Sequence, residues 1–248
     1  MLVPLHDVNA LKYIRAQYVT IGLIAVNVLV WAVTAVAPSA VGELAALGLG
    51  FIPAVVFDQA YLDPSMVLVP ENATFLTYAF VHLDFWHLAS NMLFLWVFGD
   101  NVEDALGHVR FLAFYLQCAA AGALFHALVT PASQGPLIGA SGAISGIVAA
   151  YFILHPRVRL WVLVFMRIPL PLPAFIPLAL WLVQQFVMLA FNLDGMVSWG
   201  AHVGGILAGA VLVLVMRRKG VPLFDRKVVL PKAVVTRASV PLVPRSSS

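Results

Sequence analysis

The chain has 248 residues, of which 62% are hydrophobic and only 10% are charged. Soluble domains carry about 25% charged residues, so this composition excludes an ordinary soluble protein. The single cysteine excludes a disulfide framework, and the net charge of +3 is too small to indicate binding of nucleic acid. With a mean hydropathy of +0.97, the chain falls among membrane proteins that have several spans.

Six apolar segments follow one another along the chain, and several approach the roughly 20 residues needed to cross a bilayer. They cover residues 19–37, 85–106, 110–130, 140–155, 174–192 and 199–216. The fourth segment is short, as expected of a helix surrounded by other helices. The sequence therefore predicts an all-α membrane protein, a compact bundle of six transmembrane helices.

The lysines and arginines occupy alternate connections between these segments. They are Lys12 and Arg15 before span one, Arg110 after span two, Arg157, Arg159 and Arg167 after span four, and eight more after span six. The other connections carry acids: Glu43, Asp58, Asp63, Glu71, Asp84 and Asp194. By the positive-inside rule the cation-bearing side is cytoplasmic, and both termini lie there.

This topology gives three regions. Residues 1–18 form a cytoplasmic N-terminal segment, residues 19–216 form the six-span domain, and residues 217–248 form a basic cytoplasmic tail that we expect to be disordered. A cleaved signal peptide is the alternative for the N-terminus, because Ala35–Val36–Ala37 has the form of a cleavage site. The apolar stretch before that site is long for a signal peptide.

Polar residues recur where spans two, four and six begin, at the outer face. His82, His87 and Asn91 lie at the start of span two, Ser141 starts span four, and His202 lies near the start of span six. Polar groups at membrane depth are costly and usually functional. We therefore expect these side chains to form one site.

This combination permits acyl transfer. A serine hydroxyl needs a base to remove its proton, and His202 is the obvious base for Ser141. Donors for an oxyanion are available from His87 and Asn91, which share a helix face, and from the first-turn backbone of Ala140 and Ser141. The pairs Gly142–Gly146 and Gly205–Gly209 would allow spans four and six to pack closely.

Each of these residues also has a structural interpretation. Ser141 could cap or pack its helix, His202 could be a buried histidine bonded to a carbonyl, and His87 with Asn91 could hold the outer loop. We interpret His126 as structural, since no other candidate pairs with it. A zinc peptidase is disfavoured because there is no HExxH motif, and an aspartyl protease because Asp100 has no partner in another span.

Taken in order, the motifs between about residues 70 and 216 resemble those of the rhomboid family of intramembrane serine proteases. The resemblance rests on His82, His87 and Asn91 in an HxxxxHxxxN pattern, then on "FGDNVEDALG" at 98–107, "GASG" at 139–142 and "AHVGG" at 201–205. It implies a six-helix bundle with a water-filled cavity that opens to the outside. It also implies a dyad without an acidic third member.

Carried over to this chain, the resemblance makes Ser141 the nucleophile and His202 the base. His87, Asn91 and the backbone of Ala140 and Ser141 stabilise the transition state. The supporting positions are His82, Gly139, Gly142 and Gly205, with no metal and no cofactor.

Two positions depart from the family pattern. Many members have Trp-Arg in the outer loop before span two, where this chain has Ala73–Thr74. That loop normally dips into the outer leaflet, and the apolar residues 47–57 could still do so. Many members also have an aromatic residue four positions after the nucleophile, where this chain has Ser145 and so lacks a stacking surface for His202.

We therefore expect an intramembrane serine endopeptidase of the inner (plasma) membrane, with its active site open to the outer side. Its partners would be single-span membrane proteins as substrates and the lipid bilayer, with no nucleic acid; the oligomeric state stays open. The alternative is a non-catalytic protein that uses the same bundle to bind transmembrane helices. A small transporter is a third possibility, although the two halves of the chain do not show the matching repeats that many transporters have.

Overall fold

The structure is a computed structural model that describes residues 2–191 and 197–224. Its α-helices are α1 (Tyr18–Val36), α2 (Ser39–Leu49), α3 (Pro53–Val56), α4 (Glu71–Thr77), α5 (Phe85–Leu106), α6 (His108–Val129), α7 (Ser141–Leu154), α8 (Phe175–Phe191) and α9 (Trp199–Met216). The strands are β1 (Leu2–Asp7), β2 (Arg159–Val164) and β3 (Ile168–Pro173). Helices α1, α5, α6, α7, α8 and α9 coincide with the six predicted spans, so the predicted fold class is confirmed.

The six helices differ in how strongly they qualify as membrane spans. Within the described residues, α1, α6 and α9 are long and apolar enough to cross a bilayer, whereas α7 and α8 are apolar but shorter. Helix α5 has 22 residues, and its acids lie in its last two turns. Helix α7 is buried along most of its length, which agrees with the prediction that the short fourth span is surrounded by other helices.

Helices α7 and α9 approach each other through glycines. A methyl group built on Gly205 would overlap the carbonyl oxygen of Gly142, and one on Gly209 would overlap that of Gly146. Contacts between backbones at this distance leave no room for a Cβ atom. The predicted packing of spans four and six through these two glycine pairs is therefore confirmed.

The long connection between α1 and α5 folds back onto the bundle. Phe51 is fully buried, and its backbone exchanges hydrogen bonds with Leu137 at 2.8 and 3.0 Å. Ile52 and Ala54 are also buried. The sequence did not predict α2, α3 and α4, and much of the apolar stretch 47–57 is covered by the protein itself.

A small antiparallel sheet at the opposite end of the bundle was also not predicted. Its order is β1-β2-β3, and β1 pairs with β2 from Leu2↔Val164 to Asp7↔Leu160. Strands β2 and β3 form a hairpin within the connection between α7 and α8. The N-terminal segment and this connection, both of which bear cations, are thus joined at one end of the molecule.

Two carboxylates at the end of α5 hold the N-terminal segment against the bundle. Asp104 accepts backbone N–H bonds from Lys12, Tyr13 and Ile14 at 2.8, 2.6 and 2.7 Å. Its neighbour Glu103 accepts from the first turn of α1. Hydrogen bonds to a charged acceptor are about twice as strong as neutral ones, so this segment is firmly attached.

The beginning of the basic tail is also packed against the bundle. Arg218 donates from its backbone to Ala105 at 2.9 Å and from its side chain to Tyr13 at 3.0 Å, and Phe224 donates to Ile153 at 2.9 Å. The expectation of disorder from residue 217 onward is therefore wrong for residues 217–224. Residues 225–248, the rest of the predicted tail, lie outside the described residues.

Candidate active site

The loop before α7 sets the position of Ser141. Gly139 has φ +113°, a region that favours glycine, and its N–H donates to the Tyr78 carbonyl at 2.9 Å. A side chain at Gly139 would also collide with the ring of His87. The chain then turns at Ala140, and Ser141 is the first residue of α7.

The contact between α7 and α9 involves the residues that directly adjoin Ser141 and His202 in the sequence. A methyl group built on Gly142 would lie 3.4 Å from the Ala201 oxygen and 3.7 Å from its Cβ atom. Ser141 and His202 are the sequence neighbours of these two touching residues, and each is partly exposed. Within the described residues no hydrogen bond joins the two side chains; catalytic hydrogen bonds commonly tighten only when substrate is bound.

Two residues of α8 hold the His202 ring. Nδ1 of His202 lies 2.8 Å from Oε1 of Gln185, which is only 2% exposed. The indole of Trp181 lies nearly parallel to the imidazole, with 26° between the planes and 6.5 Å between centroids. Trp199 approaches the same ring edge-on at 5.6 Å, so aromatic contacts constrain it from two sides.

His87 and His82 lie beside the loop that carries Ser141. Asp84 caps α5 by accepting the N–H groups of Trp86 and His87 at 2.7 and 2.9 Å, which fixes where the helix starts. The His87 ring covers Gly139 and lies 5.0 Å from the His82 ring. His87 is also close enough to interact electrostatically with His202.

The backbone donors expected at Ala140 and Ser141 differ in their partners. The N–H of Ala140 donates to His82 Nε2 at 3.4 Å. For the N–H of Ser141, the described part of the chain provides no acceptor, as is usual in the first turn of a helix. The backbone of Ser141 is therefore the better placed of the two to bind a developing oxyanion.

Asn91 lies one turn after His87 along α5 and is 6% exposed. Its amide donates one N–H to the His87 carbonyl at 2.9 Å. A side-chain amide has a second N–H, so the bond to His87 leaves one donor for a ligand. This bond also fixes the rotamer of the side chain in the first turns of α5.

The two departures from the family pattern have a structural basis. Ser145 is buried, and its hydroxyl donates to the Ser141 carbonyl at 2.7 Å, so it supports the backbone of α7. The stacking surface that it does not provide comes from Trp181. Ala73 and Thr74 lie in α4, where the Thr74 hydroxyl donates to the Glu71 carbonyl at 2.5 Å.

His126 joins two helices at this end of the bundle. Its Nδ1 lies 2.8 Å from the hydroxyl of Ser198, which directly precedes α9. The structural interpretation of His126 agrees with this contact.

A cavity of about 450 Å³ opens nearby, between α1, α2 and the segment that precedes α5. His82, Pro136 and Ile138 form part of its wall, whereas Ser141 and His202 do not. This cavity is thus separate from Ser141 and His202.

Sequence reasoning missed three residues that build the site. Tyr78 is fully buried, its hydroxyl donates to Ala119 at 2.8 Å, and it would lie 2.8 Å from a methyl group on Gly142. Gln185 and Trp181 contact His202 from α8. Gln185 could have been found as a polar side chain within an apolar span, whereas a buried tyrosine and a tryptophan carry no such signal.

Comparison with known proteins identifies the same segments. The sequence model of the Rhomboid domain family matches residues 70–219. The mitochondrial rhomboid protein 1 of Saccharomyces cerevisiae is 33% identical over 165 residues, which cover 62% of this chain and 45% of that protein.

Two further relatives give the same picture. The mitochondrial RHOMBOID-like protein 12 of Arabidopsis thaliana is 29% identical over 178 residues, 63% of this chain and 52% of its own length. The human presenilin-associated rhomboid-like protein, also mitochondrial, is 29% identical over 140 residues, 52% of this chain and 34% of its own length. The chain thus matches about half or less of the length of these curated relatives.

Proposed function

The chain belongs to the rhomboid family, and on that premise we propose that it is an intramembrane serine endopeptidase. Ser141 is the nucleophile and His202 the base. The observation that supports the proposal is the close approach of Gly142 and Ala201 at the start of α7 and α9, since these residues directly adjoin Ser141 and His202 in the sequence.

The proposed reaction proceeds through an acyl-enzyme. His202 Nε2 takes the proton of the Ser141 hydroxyl while Oγ attacks the scissile carbonyl. The tetrahedral intermediate collapses, the C–N bond breaks, and His202 returns the proton to the leaving amine. A water molecule, deprotonated by the same histidine, then hydrolyses the ester and regenerates Ser141.

The oxyanion of the intermediate needs donors placed beforehand. We assign this role to the Ser141 backbone N–H, His87 and the second amide N–H of Asn91. Ala140 has a supporting role, since its N–H bonds to His82. His82, Gly139, Gly142 and Gly205 support the site by shaping the loop and the helix contact.

We also propose the topology and the substrates. Cations on one side support cytoplasmic termini in an inner (plasma) membrane, with the active site open to the outer side. The named relatives are mitochondrial proteins, so the membrane itself is tested by locating the tagged protein. The substrates are single-span membrane proteins.

A fluorophosphonate probe tests the enzymatic proposal without knowledge of the natural substrate. We expect covalent labelling of the purified protein in detergent, lost in Ser141→Ala and in His202→Ala. Ser145→Ala is the matched control, because this serine lies one turn further along α7 and should keep the label. A folded parent that neither reacts nor cleaves would favour the alternative, a non-catalytic protein that binds transmembrane helices.

Chelators separate the serine mechanism from a metal mechanism. We expect EDTA to leave labelling and cleavage unchanged. Inhibition that added zinc reverses would overturn the assignment of Ser141 as nucleophile.

A further inference from the structure

We propose that Gln185 is a positioning residue for His202, a neutral hydrogen-bond partner that holds the base of the Ser141–His202 dyad in the tautomer it needs. This inference rests on the proposed function. Its basis is the contact between Gln185 Oε1 and His202 Nδ1 at 2.8 Å. Gln185 acts through the imidazole and does not touch substrate.

The orientation of the Gln185 amide follows from its other partner. Its Nε2 donates to the backbone carbonyl of Trp181 at 2.9 Å, and a carbonyl can only accept. The amide oxygen must therefore face the imidazole. A neutral ring then carries its proton on Nδ1, which leaves the lone pair on Nε2 to accept the proton of Ser141.

The burial of Gln185 makes this contact specific. The side chain is 2% exposed on a helix whose only polar residues are Gln184 and Gln185. An unpaired buried amide costs free energy, whereas both ends of this amide have partners. The neighbouring Gln184 is exposed, so the two glutamines of α8 have different surroundings.

Gln185 and Trp181 are four residues apart on α8, and both contact the imidazole of His202. One turn of α8 thus supplies both the hydrogen bond at Nδ1 and the stacked indole. This explains why position 145 on α7 can be a serine. The ring of His202 is held from α8 and does not need an aromatic residue after the nucleophile.

A neutral partner suits the surroundings of His202. Within the described residues no carboxylate bonds to its ring, and the titratable group that interacts with it electrostatically is His87 on α5. An amide fixes the tautomer without favouring the imidazolium form, as a carboxylate would. The base therefore stays neutral between turnovers.

The first experiment measures the rate of fluorophosphonate labelling from about pH 5 to pH 9, a range that spans the titration of histidine. Gln185→Met keeps the length of the side chain but lacks the acceptor. We expect labelling about 3- to 10-fold slower at every pH, the range that one ordinary hydrogen bond represents.

Gln185→Glu keeps an acceptor but adds a negative charge that favours the protonated imidazole. We expect this variant to approach the parent rate at high pH, with the acidic limb of the profile moved to higher pH. Gln184→Met is the matched control and should behave as the parent.

The second experiment does not depend on how the Gln185 variants fold. The parent protein, labelled with ¹⁵N-histidine, is studied by NMR in detergent micelles, and the His202 signals are assigned by their loss in His202→Asn. We expect Nδ1 to be protonated and Nε2 to be unprotonated. The opposite tautomer would overturn the proposal.

The outcomes separate this inference from the proposed function. A parent that does not label and does not cleave rejects the protease itself. A parent that labels, with Gln185→Met at the parent rate and pH profile, rejects only the role of Gln185. Equal impairment of the Met and Glu variants at every pH would assign Gln185 to packing and would also reject its positioning role.

Discussion

At the scale of single residues, two side chains of α5 bind the same carbonyl and yet lie in different surroundings. Ser90 and Asn91 both donate to the His87 oxygen, at 3.0 and 2.9 Å. Ser90 is exposed, whereas Asn91 is buried. The bond to His87 is therefore shared, and the second amide N–H distinguishes Asn91.

We predict that Asn91→Ala slows peptide cleavage by about 10²–10³, the loss typical for one oxyanion donor. A fluorophosphonate should still label Ser141 in this variant, because the base is intact. Turnover of a single-span reporter and labelling are measured on the same preparation.

Ser90→Ala is the control for Asn91→Ala, since it also removes a donor to the His87 carbonyl but lies outside the site. We expect it to cleave at the parent rate. Equal losses in the two variants, or none in Asn91→Ala, would assign Asn91 to structure.

At the scale of elements, the position of the proposed dyad depends on how closely α7 and α9 pack. Gly205 and Gly209 on α9 contact the carbonyls of Gly142 and Gly146 on α7. Backbone atoms cannot rotate away as a flexible side chain can. A methyl group at this contact must therefore separate the helices, and with them Ser141 and His202.

We predict that Gly205→Ala destabilises the protein by about 1–3 kcal/mol, as overpacking does in a close-packed core, and slows labelling of Ser141. Gly22→Ala is the control, because a methyl group at Gly22 in α1 meets nothing within 4 Å. That change should stabilise α1 by roughly 0.5–1 kcal/mol. Thermal unfolding in detergent measures both, and equal stability of the two variants would contradict the packing argument.

The sheet contains a second testable feature, the partly buried Asp7 at the end of β1. Burial raises the pKa of Asp7 above its usual value of 3.8, although the Tyr151 hydroxyl donates to it at 2.6 Å. The folded state therefore binds this proton more tightly than the unfolded state does. Stability is present below the unfolded pKa and is lost as the pH rises through the raised folded pKa.

We accordingly predict that Asp7→Asn gains stability relative to the parent as the pH rises above about 3.8, the ordinary pKa of an aspartate. Asp63→Asn is the contrast. The side chain of Asp63 is exposed, and hydrogen bonds from Ser65 lower its pKa, so its contribution is lost as the pH falls. Unfolding temperatures of the parent and both variants, measured at pH values below and above the ordinary pKa of an aspartate, check the two predicted directions. Identical pH dependences of Asp7→Asn and the parent would contradict the prediction for Asp7.

The sequence predicts some of these elements better than others, for physical reasons. The spans are visible because a bilayer demands long apolar runs, and the polar residues at their starts stand out against that background. The sheet was missed because β3 has prolines at 169, 171 and 173, which usually mark connections. In an edge strand these prolines are tolerated where their missing N–H groups face away from β2.

The candidate site divides in the same way. Ser141, His202, His87 and Asn91 carry chemistry that residue type and spacing reveal. Gln185 contacts His202 only because α8 packs beside α9. Tyr78 contributes to the site only because the loop before α7 folds over it. Long-range packing of this kind is not encoded in any local pattern.

At the scale of the whole molecule, the segments that bear the cations and the residues of the candidate site lie at opposite ends. The N-terminal segment, the β2–β3 connection and Arg218 meet at one end, where Arg218 bonds to Tyr13 and Ala105 at the end of α5. Ser141, His202 and His87 lie at the other end, where α7, α9 and α5 begin. If the cations face the cytoplasm, as proposed, the dyad lies towards the outer face.

This arrangement predicts where a substrate is cut. An intact substrate helix has its carbonyls in hydrogen bonds, so the proposed protease needs a segment that unwinds. Glycine lowers the cost of unwinding by about 1 kcal/mol and proline by about 3 relative to alanine. We expect cleavage in the outer juxtamembrane region or the outer third of the span, at a small residue. We also expect slower cleavage when nearby helix breakers are replaced by leucine.

Mass spectrometry of the product ends of a single-span reporter measures the position of the cut. The same leucine replacements at the cytoplasmic end of the reporter serve as the control. Cuts near the cytoplasmic end of the span would show that either the proposed orientation or the assignment of Ser141 as nucleophile is wrong.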